Sequence, residues 1–453
     1  MKIIQVLSEL FPLTSNNRFA QNTHNFIIKF KNDISLNILP YYKNIKTNED
    51  LKLFKDLPLS NSEVWKTVIN DHDLFLIKPK NIYFNFLVKK DINEIIRFSK
   101  AVVEFIKKTN HSNLIHLHGY FTGIIPLLLQ QSELKYLKTV FTIPNLYQNG
   151  DFSIEETRAC NRDVFRIFNH IEILNLYELG IKYSDITALC SRRYSEEVKN
   201  EEFSGKLAEI FRKMDPKIIG IKNGIKYGEW NPQIDKYIKY NYSKKDINKK
   251  VYNKTELQKM FGLKQDESVP LIIFGGKLNY RKGIDLVIQA FNDIEEMPLQ
   301  LIIYGTGDEK YHIELKNYMD LYENIKIKLE FDKETAHQLI AGADFILLPT
   351  RIEPDGVSHL FALKYGTIPI ARRIGGLVDV IKERSNSKDN EVNGFLFSSF
   401  YENSLIDIMK EAIDVYNSKE IFTKYRENAM QADWSIKQTV KQYEDIYNKL
   451  LTK

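Results

Sequence analysis

Cysteine is nearly absent: the 453 residues include only Cys160 and Cys190. They stand far apart, with no CxxC pair and no Cys/His ligand spacing around them. That excludes a disulfide scaffold and a structural zinc site, and it suits a reducing compartment. Also missing is any apolar run near the ~18 residues of a membrane-spanning helix. The opening Met1-Lys2-Ile3-Ile4-Gln5-Val6-Leu7 meets Ser8-Glu9 too soon for a secretory leader and reads as a buried strand. A dominant charge is lacking too. The 64 Lys and Arg against 59 Asp and Glu leave +5, too mild for a nucleic-acid binder but compatible with an anionic small molecule or a peripheral membrane contact. No repeat of fixed period occurs, and no low-complexity tract beyond a richness in Lys and Asn. A soluble cytoplasmic protein of two or three domains is the expectation.

The second half alternates apolar runs with helical spacing. Val269–Phe274 ends at Gly275-Gly276, and 278–283 reads as a loop. Asp285–Ile294 then repeats apolar residues at 286, 287, 290, 291 and 294. Leu299–Tyr304 stops at Gly305-Thr306-Gly307. Ile325–Phe331 precedes a helix at Lys333–Ile340, Asp344–Leu348 one at Ser358–Tyr365, and Thr367–Ala371 a short one after Gly375-Gly376. Strands apolar on both faces, separated by helices, predict a doubly wound parallel sheet. The first half shows the pattern more loosely, in Lys2–Leu7, Leu114–Leu117, Thr139–Ile143, Ile186–Cys190 and Lys217–Ile221, with a hairpin over Val64–Lys78 turning at Asn70-Asp71. Asp71-His72-Asp73 fits that turn better than a metal site. The two α/β domains join near 222–256, where Lys236, Lys239, Lys244, Lys245, Lys249, Lys250 and Lys254 alternate with tyrosines. This stretch reads as a solvated basic loop or as a polyanion contact. Trp434–Leu450 is an amphipathic helix.

Ligands of parallel α/β domains sit at the carboxyl ends of strands. That edge carries Lys277 and Lys282, then Gly305-Thr306-Gly307, then Glu353-Pro354-Asp355-Gly356-Val357-Ser358. A helix opening at Gly-Val-Ser offers amide N–H groups and the positive end of a dipole of about half a charge. With two lysines it makes a site for a diphosphate. Glu353 suits hydroxyls instead, as on a sugar. Gly305-Thr306-Gly307 lacks the third glycine of a dinucleotide fingerprint and is also readable as a tight turn.

The run Arg351-Ile-Glu-Pro-Asp-Gly-Val-Ser-His-Leu-Phe-Ala-Leu-Lys-Tyr-Gly-Thr-Ile-Pro-Ile-Ala-Arg-Arg-Ile-Gly-Gly-Leu-Val-Asp379 closely resembles the signature of bacterial glycogen synthases and plant starch synthases, retaining glycosyltransferases of the GT-B fold. Gly276-Lys-Leu-Asn-Tyr-Arg-Lys-Gly-Ile-Asp285 is similar to their R-L-x-x-Q-K-G-x-D loop, and Ile221–Pro232 to their L-N-G-I-D-x-x-x-W-x-P segment. Asn393–Phe397, Ser8–Leu13, Thr142–Gly150 and His116–Gly123 resemble further family motifs. The resemblance implies two doubly wound Rossmann-like domains facing a central cleft, 1–222 and 223–429, with residues 430–453 crossing back to the first. It implies that Glu353 holds the donor sugar's hydroxyls, that Gly356, Val357 and Ser358 bind its phosphate and sugar, and that Lys277 and Lys282 neutralise the leaving diphosphate. Asn223 and His118 would contact the sugar, with Gly305 and Thr306 on the donor side. The partners implied are a nucleotide diphosphate sugar as co-substrate and a glycan or other hydroxyl acceptor. No metal or cofactor is implied.

Departures concentrate in the first half. The family's K-T-G-G-L-A-D reads Ser15-Asn16-Asn17-Arg18-Phe19-Ala20-Gln21, its T-I-H-N histidine is Pro144, and its H-A-H-D aspartate is Gly119. Lys277 stands where the family has arginine, keeping charge without the bidentate fork. Three functions follow for weighing: extension of an α-glucan, glycosylation of a surface polysaccharide, lipid or protein by the same fold, and non-catalytic binding of a nucleotide sugar. The lysines, Glu353 and the helix-start loop favour an enzyme. The altered loop at 15–21 favours a changed acceptor or donor base.

Overall fold

The computed structural model describes residues 2–8, 35–42, 51–69, 72–82, 84, 91–109, 112–146, 150–153, 155–156, 173–319, 321–386, 388 and 390–452. Asn70-Asp71, Cys160 and the 15–21 loop lie outside these residues. The chain divides into two compact units, Met1–Lys222 with Ile436–Lys453, and Asn223–Ser435.

The first unit contains β1 (Ile3–Leu7), β2 (Ser35–Pro40), β3 (Lys52–Leu53), β4 (Ser62–Ile69), β5 (His72–Pro79), β6 (Leu114–His118), β7 (Lys138–Ile143), β8 (Asp151–Ser153), β9 (Ile173–Asn175), β10 (Ile186–Leu189) and β11 (Ile218–Gly220). Apart from the small β8–β9 pair, they form one sheet in the order β11-β10-β7-β6-β1-β2-β5-β4-β3. All neighbours are parallel except β5–β4 and β4–β3. The expected hairpin is present, with Ile69 opposite His72. The two central strands β1 and β6 are buried along their whole length, polar Gln5, His116 and His118 included. From β1 the sheet grows one way through β2 and the other through β6. The carboxyl ends of β1 and β6, where Leu7 pairs with His118, therefore form a topological switch point.

The helix Ile436–Leu451 completes this unit. Its apolar stripe, Val440, Tyr443 and Tyr447, covers Ile3, Leu114, Val140, Ala188 and Ile221. Polar groups fix the docking. The Tyr447 hydroxyl lies 2.6 Å from His116 Nδ1, and Thr142 Oγ1 links His116 Nε2 (2.7 Å) to the Tyr443 hydroxyl (2.9 Å). Thr439 donates to the Lys222 carbonyl.

The second unit contains β12 (Leu271–Leu278), β13 (Gln300–Gly307), β14 (Ile325–Lys328), β15 (Phe345–Leu348), β16 (Ile368–Arg372) and β17 (Phe395–Phe397), all parallel, in the order β14-β13-β12-β15-β16-β17. The chain starts at β12, runs outward to β14, and returns to β15 on the other side. The switch point thus lies between the carboxyl ends of β12 and β15. The helical stretch expected at 285–294 is two short helices, because the backbone at Ala290 leaves the helical range (ψ 4°). The turn lets Phe291 and Ile294 reach the core that Leu286 and Val287 also fill.

The lysine-rich stretch divides: Lys236, Lys239, Lys245 and Lys249 are exposed, as a solvated basic stretch requires, but its last two lysines are not. Lys250 and Lys254 are neither solvated nor open to a polyanion: they are 1% and 2% exposed, on a helix spanning Lys250–Met260. Lys250 Nζ donates to the carbonyls of Ile340 (3.0 Å) and Ala341 (2.7 Å) and to Thr367 Oγ1 (2.8 Å). Lys254 pairs with Asp344 at 2.8 Å and donates to the carbonyls of Glu267 and Val269 and to the Tyr416 hydroxyl. Arg426 also contacts the Asp344 carboxylate, whose third partner is the Leu271 N–H. Each buried ammonium has its donors filled, as burial demands. Together they fasten the helices Lys250–Met260 and Lys419–Gln431 beneath the amino ends of β12 and β15.

Candidate active site

β12 and β13 do not stop at their glycines. They stay paired through Gly276 with Gly305, Lys277 with Thr306, and Leu278 with Gly307. A Cβ at Gly305 would lie 1.9 Å from the Gly276 carbonyl oxygen, and one at Gly307 2.0 Å from that of Leu278. The glycines permit close approach of two extended backbones; no tight turn forms there. Lys277 is accordingly a strand residue, exposed, with no ion-pair partner among the described residues, and Thr306 stands exposed beside it.

Beyond β12, Asn279 caps a single turn at Tyr280–Lys282, its Oδ1 accepting from the Lys282 N–H at 3.0 Å. Gly283 ends the turn at φ +76° and leaves no room for a side chain, since a Cβ would lie 2.0 Å from the Pro349 carbonyl oxygen. This turn therefore abuts the segment that follows β15. There Glu353, 3% exposed, receives the ammonium of Lys282. The cation and the carboxylate, expected to serve different parts of a ligand, are in direct contact at the switch point of the sheet.

Gly356 follows at φ +54° and starts the helix Val357–Lys364. The first-turn amides of that helix have no intrahelical acceptor. Gly375, at φ +48°, brings the next helix start against the same segment: a Cβ there would sit 1.9 Å from the Glu353 carbonyl oxygen, which accepts the Gly376 N–H at 2.9 Å. Glu353 is thus clamped through its main chain and paired through its side chain.

Two further residues bind the loops together. Arg351 makes a two-pronged ion pair with Asp285, NH1 to Oδ1 at 2.8 Å and NH2 to Oδ2 at 2.7 Å. Both were visible in the motifs Arg351-Ile-Glu-Pro and Lys-Gly-Ile-Asp285, but nothing in the sequence showed that they meet.

Of the residues expected at a site, Lys277, Lys282, Gly305, Thr306, Glu353, Gly356, Val357 and Ser358 share one sheet edge of the second unit. Asn223 is the first residue of that unit, half-buried in an irregular segment. His118 belongs to the first unit, at the carboxyl end of β6. It is buried, its Nε2 lies 2.9 Å from Gln5 Oε1, and its ring is 3.9 Å from that of His116. Burial lowers its pKa to about 3, so it is a neutral imidazole at ordinary pH.

Known proteins resemble this chain in sequence and in fold. Residues 3–213 match the family model for the starch synthase catalytic domain, and 256–429 that for glycosyl transferases group 1. A glycogen synthase from Thermosipho melanesiensis is 33% identical, over 92% of this chain and 87% of that one. One from Fervidobacterium nodosum is 32% identical over 100% and 99%. Among solved structures, the catalytic domain of starch synthase IV from Arabidopsis thaliana, bound to ADP and acarbose, superposes with a TM-score of 0.84 at 23% identity, covering 100% of this chain and 99% of that one. The fold is GT-B, and the protein is a glycosyltransferase. The chain belongs to the glycogen and starch synthase family.

Proposed function

We propose that the chain transfers glucose from a nucleoside diphosphate glucose to a hydroxyl of an α-glucan, with retention of anomeric configuration. The observation that carries this reading is the meeting of Lys282 and Glu353 at the switch point of the second sheet, beside the helix start at 356–358. The relatives' name, glycogen synthase, and the ADP and acarbose held by the plant enzyme support donor and acceptor of these classes.

In this reading the diphosphate lies along the amides of Gly356, Val357 and Ser358, with Lys277 and Lys282 on the same edge. Thr306 and Gly305 border it on the neighbouring strand. Glu353 accepts hydrogen bonds from the hexose hydroxyls, and Asn223 contacts the sugar. The diphosphate leaves as the acceptor hydroxyl attacks the same face, through an oxocarbenium-like state. No side chain acts as a nucleophile. Catalysis is electrostatic: cations and amides already in place meet the charge that grows on the diphosphate, each contact being worth about 3 kcal/mol of barrier. A departing phosphate oxygen takes the acceptor proton. The reaction needs neither metal nor cofactor, and the cytoplasm is where donor and glucan would meet. No helix among the described residues is long and apolar enough to cross a membrane.

The test is a donor and acceptor screen. ADP- and UDP-sugars are incubated with and without an α-glucan, and nucleotide release and chain growth are both read. Release that depends on the glucan, with the glucan lengthened, is expected. Release only with another acceptor would reassign the acceptor, and binding without release would leave a sugar-nucleotide binder.

A further inference from the structure

Lys282 and Glu353 belong to different loops, and a single side chain grips both. Arg351 is two residues ahead of Glu353. Its guanidinium forks onto the Asp285 carboxylate at 2.8 and 2.7 Å and also donates to the Tyr280 carbonyl at 2.6 Å. Its own N–H donates to the Arg281 carbonyl at 2.8 Å. These acceptors bracket Lys282: Tyr280 and Arg281 precede it and Asp285 follows it. The guanidinium is also sandwiched, 3.5 Å from the Tyr280 ring centre and 3.7 Å from that of Phe400. On the far side, Arg372 donates to the Arg351 carbonyl at 3.2 Å, tying the assembly to the end of β16.

We propose that Arg351 is a positioning residue which, through Asp285 and the Tyr280–Phe400 ring sandwich, holds Lys282 in register with Glu353. A planar, forked cation is the side chain that can satisfy two carboxylate oxygens and a carbonyl while stacking between two rings. A lysine keeps the charge but offers a point contact and no plane to stack. Arg351 touches neither reacting group; it fixes the distance between two residues that do the chemistry. Its effect on catalysis rests on the roles of Lys282 and Glu353 proposed above, whereas its effect on geometry does not.

The test compares wild type with Arg351→Lys and Asp285→Asn. The first readout is labelling of Lys282 by an amine-reactive succinimidyl ester, quantified by mass spectrometry against exposed Lys277 in the same molecule. In wild type Lys282 labels slowly because Glu353 holds it. In Arg351→Lys the Lys282-to-Lys277 ratio is expected to rise several-fold, with Asp285→Asn changing it in the same direction. The second readout is kinetic: kcat for transfer is expected to fall by roughly 10²-fold, the scale of an ångström-sized misplacement, while KM for the glucan stays unchanged. Thermal melting separates misplacement from unfolding. Should Arg351→Lys not fold, Asp285→Asn leaves the ring sandwich in place and gives the same ratio. An unchanged labelling ratio in a folded variant overturns the proposal. A wild-type protein that transfers no sugar overturns the proposed function instead, and the labelling ratio still decides the role of Arg351.

Discussion

The ammonium of Lys282 touches the carboxylate of Glu353 although 71 positions of chain separate them. β12 and β15 are neighbours in the sheet but not in sequence, and each residue lies in the segment that follows one of them. The doubly wound topology is what brings them together.

Glu353→Ala and Lys282→Ala are each expected to lower transfer by about two orders of magnitude, measured as nucleotide release with glucan present. Near-normal turnover in both purified variants would remove this site. Lys282→Ala is expected to melt below Glu353→Ala, because it takes a cation from a carboxylate that is 3% exposed, whereas Lys282 is 31% exposed and can turn to water.

Gly375→Ala is expected to damage the site from behind. Its φ of +48° disfavours a side chain, and the new Cβ would fall 1.9 Å from the Glu353 carbonyl oxygen. The Glu353 segment must shift, so kcat is expected to fall roughly 10²-fold with a loss of at least ~1 kcal/mol in stability. Urea unfolding and initial rates on one preparation check both.

The Asp344 cluster sets an acid limit on the second unit. Burial pushes the Asp344 pKa up, but Lys254 and Arg426 outweigh it and hold the carboxyl below its ordinary 3.8. A carboxyl depressed in the folded state stabilises above its unfolded pKa, and that stabilisation is lost as pH falls below about 3.8. Asp344→Asn is expected to cost about 3–5 kcal/mol near neutrality by stranding buried cations, and to flatten the loss below pH 3.8. Urea midpoints across pH 2 to 7 give both quantities.

His118 acts over a different window. Burial holds its pKa at about 3 against an ordinary 6.5, so between these values the unfolded chain binds a proton the folded one refuses. Stability is complete above pH 6.5 and falls toward pH 3, by about 1.4 kcal/mol per pH unit for such a site. His118→Asn is expected to reduce that slope in the same urea series.

Tyr447→Phe removes the hydroxyl that meets His116 Nδ1 in a fully buried setting. A loss of ~1–3 kcal/mol is expected, read as a lower urea midpoint. The effect should be larger than that of Tyr443→Phe only if His116, rather than Thr142, anchors the helix.

Most of both sheets was legible because buried parallel strands are apolar on two faces, as β12, β13 and β15 largely are; β1 and β6 were legible from their apolar residues although Gln5, His116 and His118 are buried within them. β2 was not legible. Its Ser-Leu-Asn-Ile-Leu-Pro places Asn37 opposite Gln5, and both are buried, so the strand interior carries polar groups that mimic a loop. Lys250 and Lys254 misled for the reverse reason. A lysine reads as surface unless one knows that carbonyls from Ile340, Ala341, Glu267 and Val269 wait for it, and those come from distant segments. At the site, the residue types and their common edge followed from motif order and strand ends. The Lys282–Glu353 contact and the Arg351–Asp285 fork did not, because they depend on which strands are neighbours.

The helix Ile436–Leu451 is made after the whole of the second unit, yet it covers Ile3, Leu114 and Val140 of the first. During synthesis the earliest-made sheet therefore keeps a bare apolar strip while more than two hundred further residues, Asn223–Ser435, leave the ribosome. The part of the protein translated first is the part finished last, and a ribosome stalled anywhere before Tyr447 displays an adhesive, half-built sheet to chaperones and to other unfinished chains.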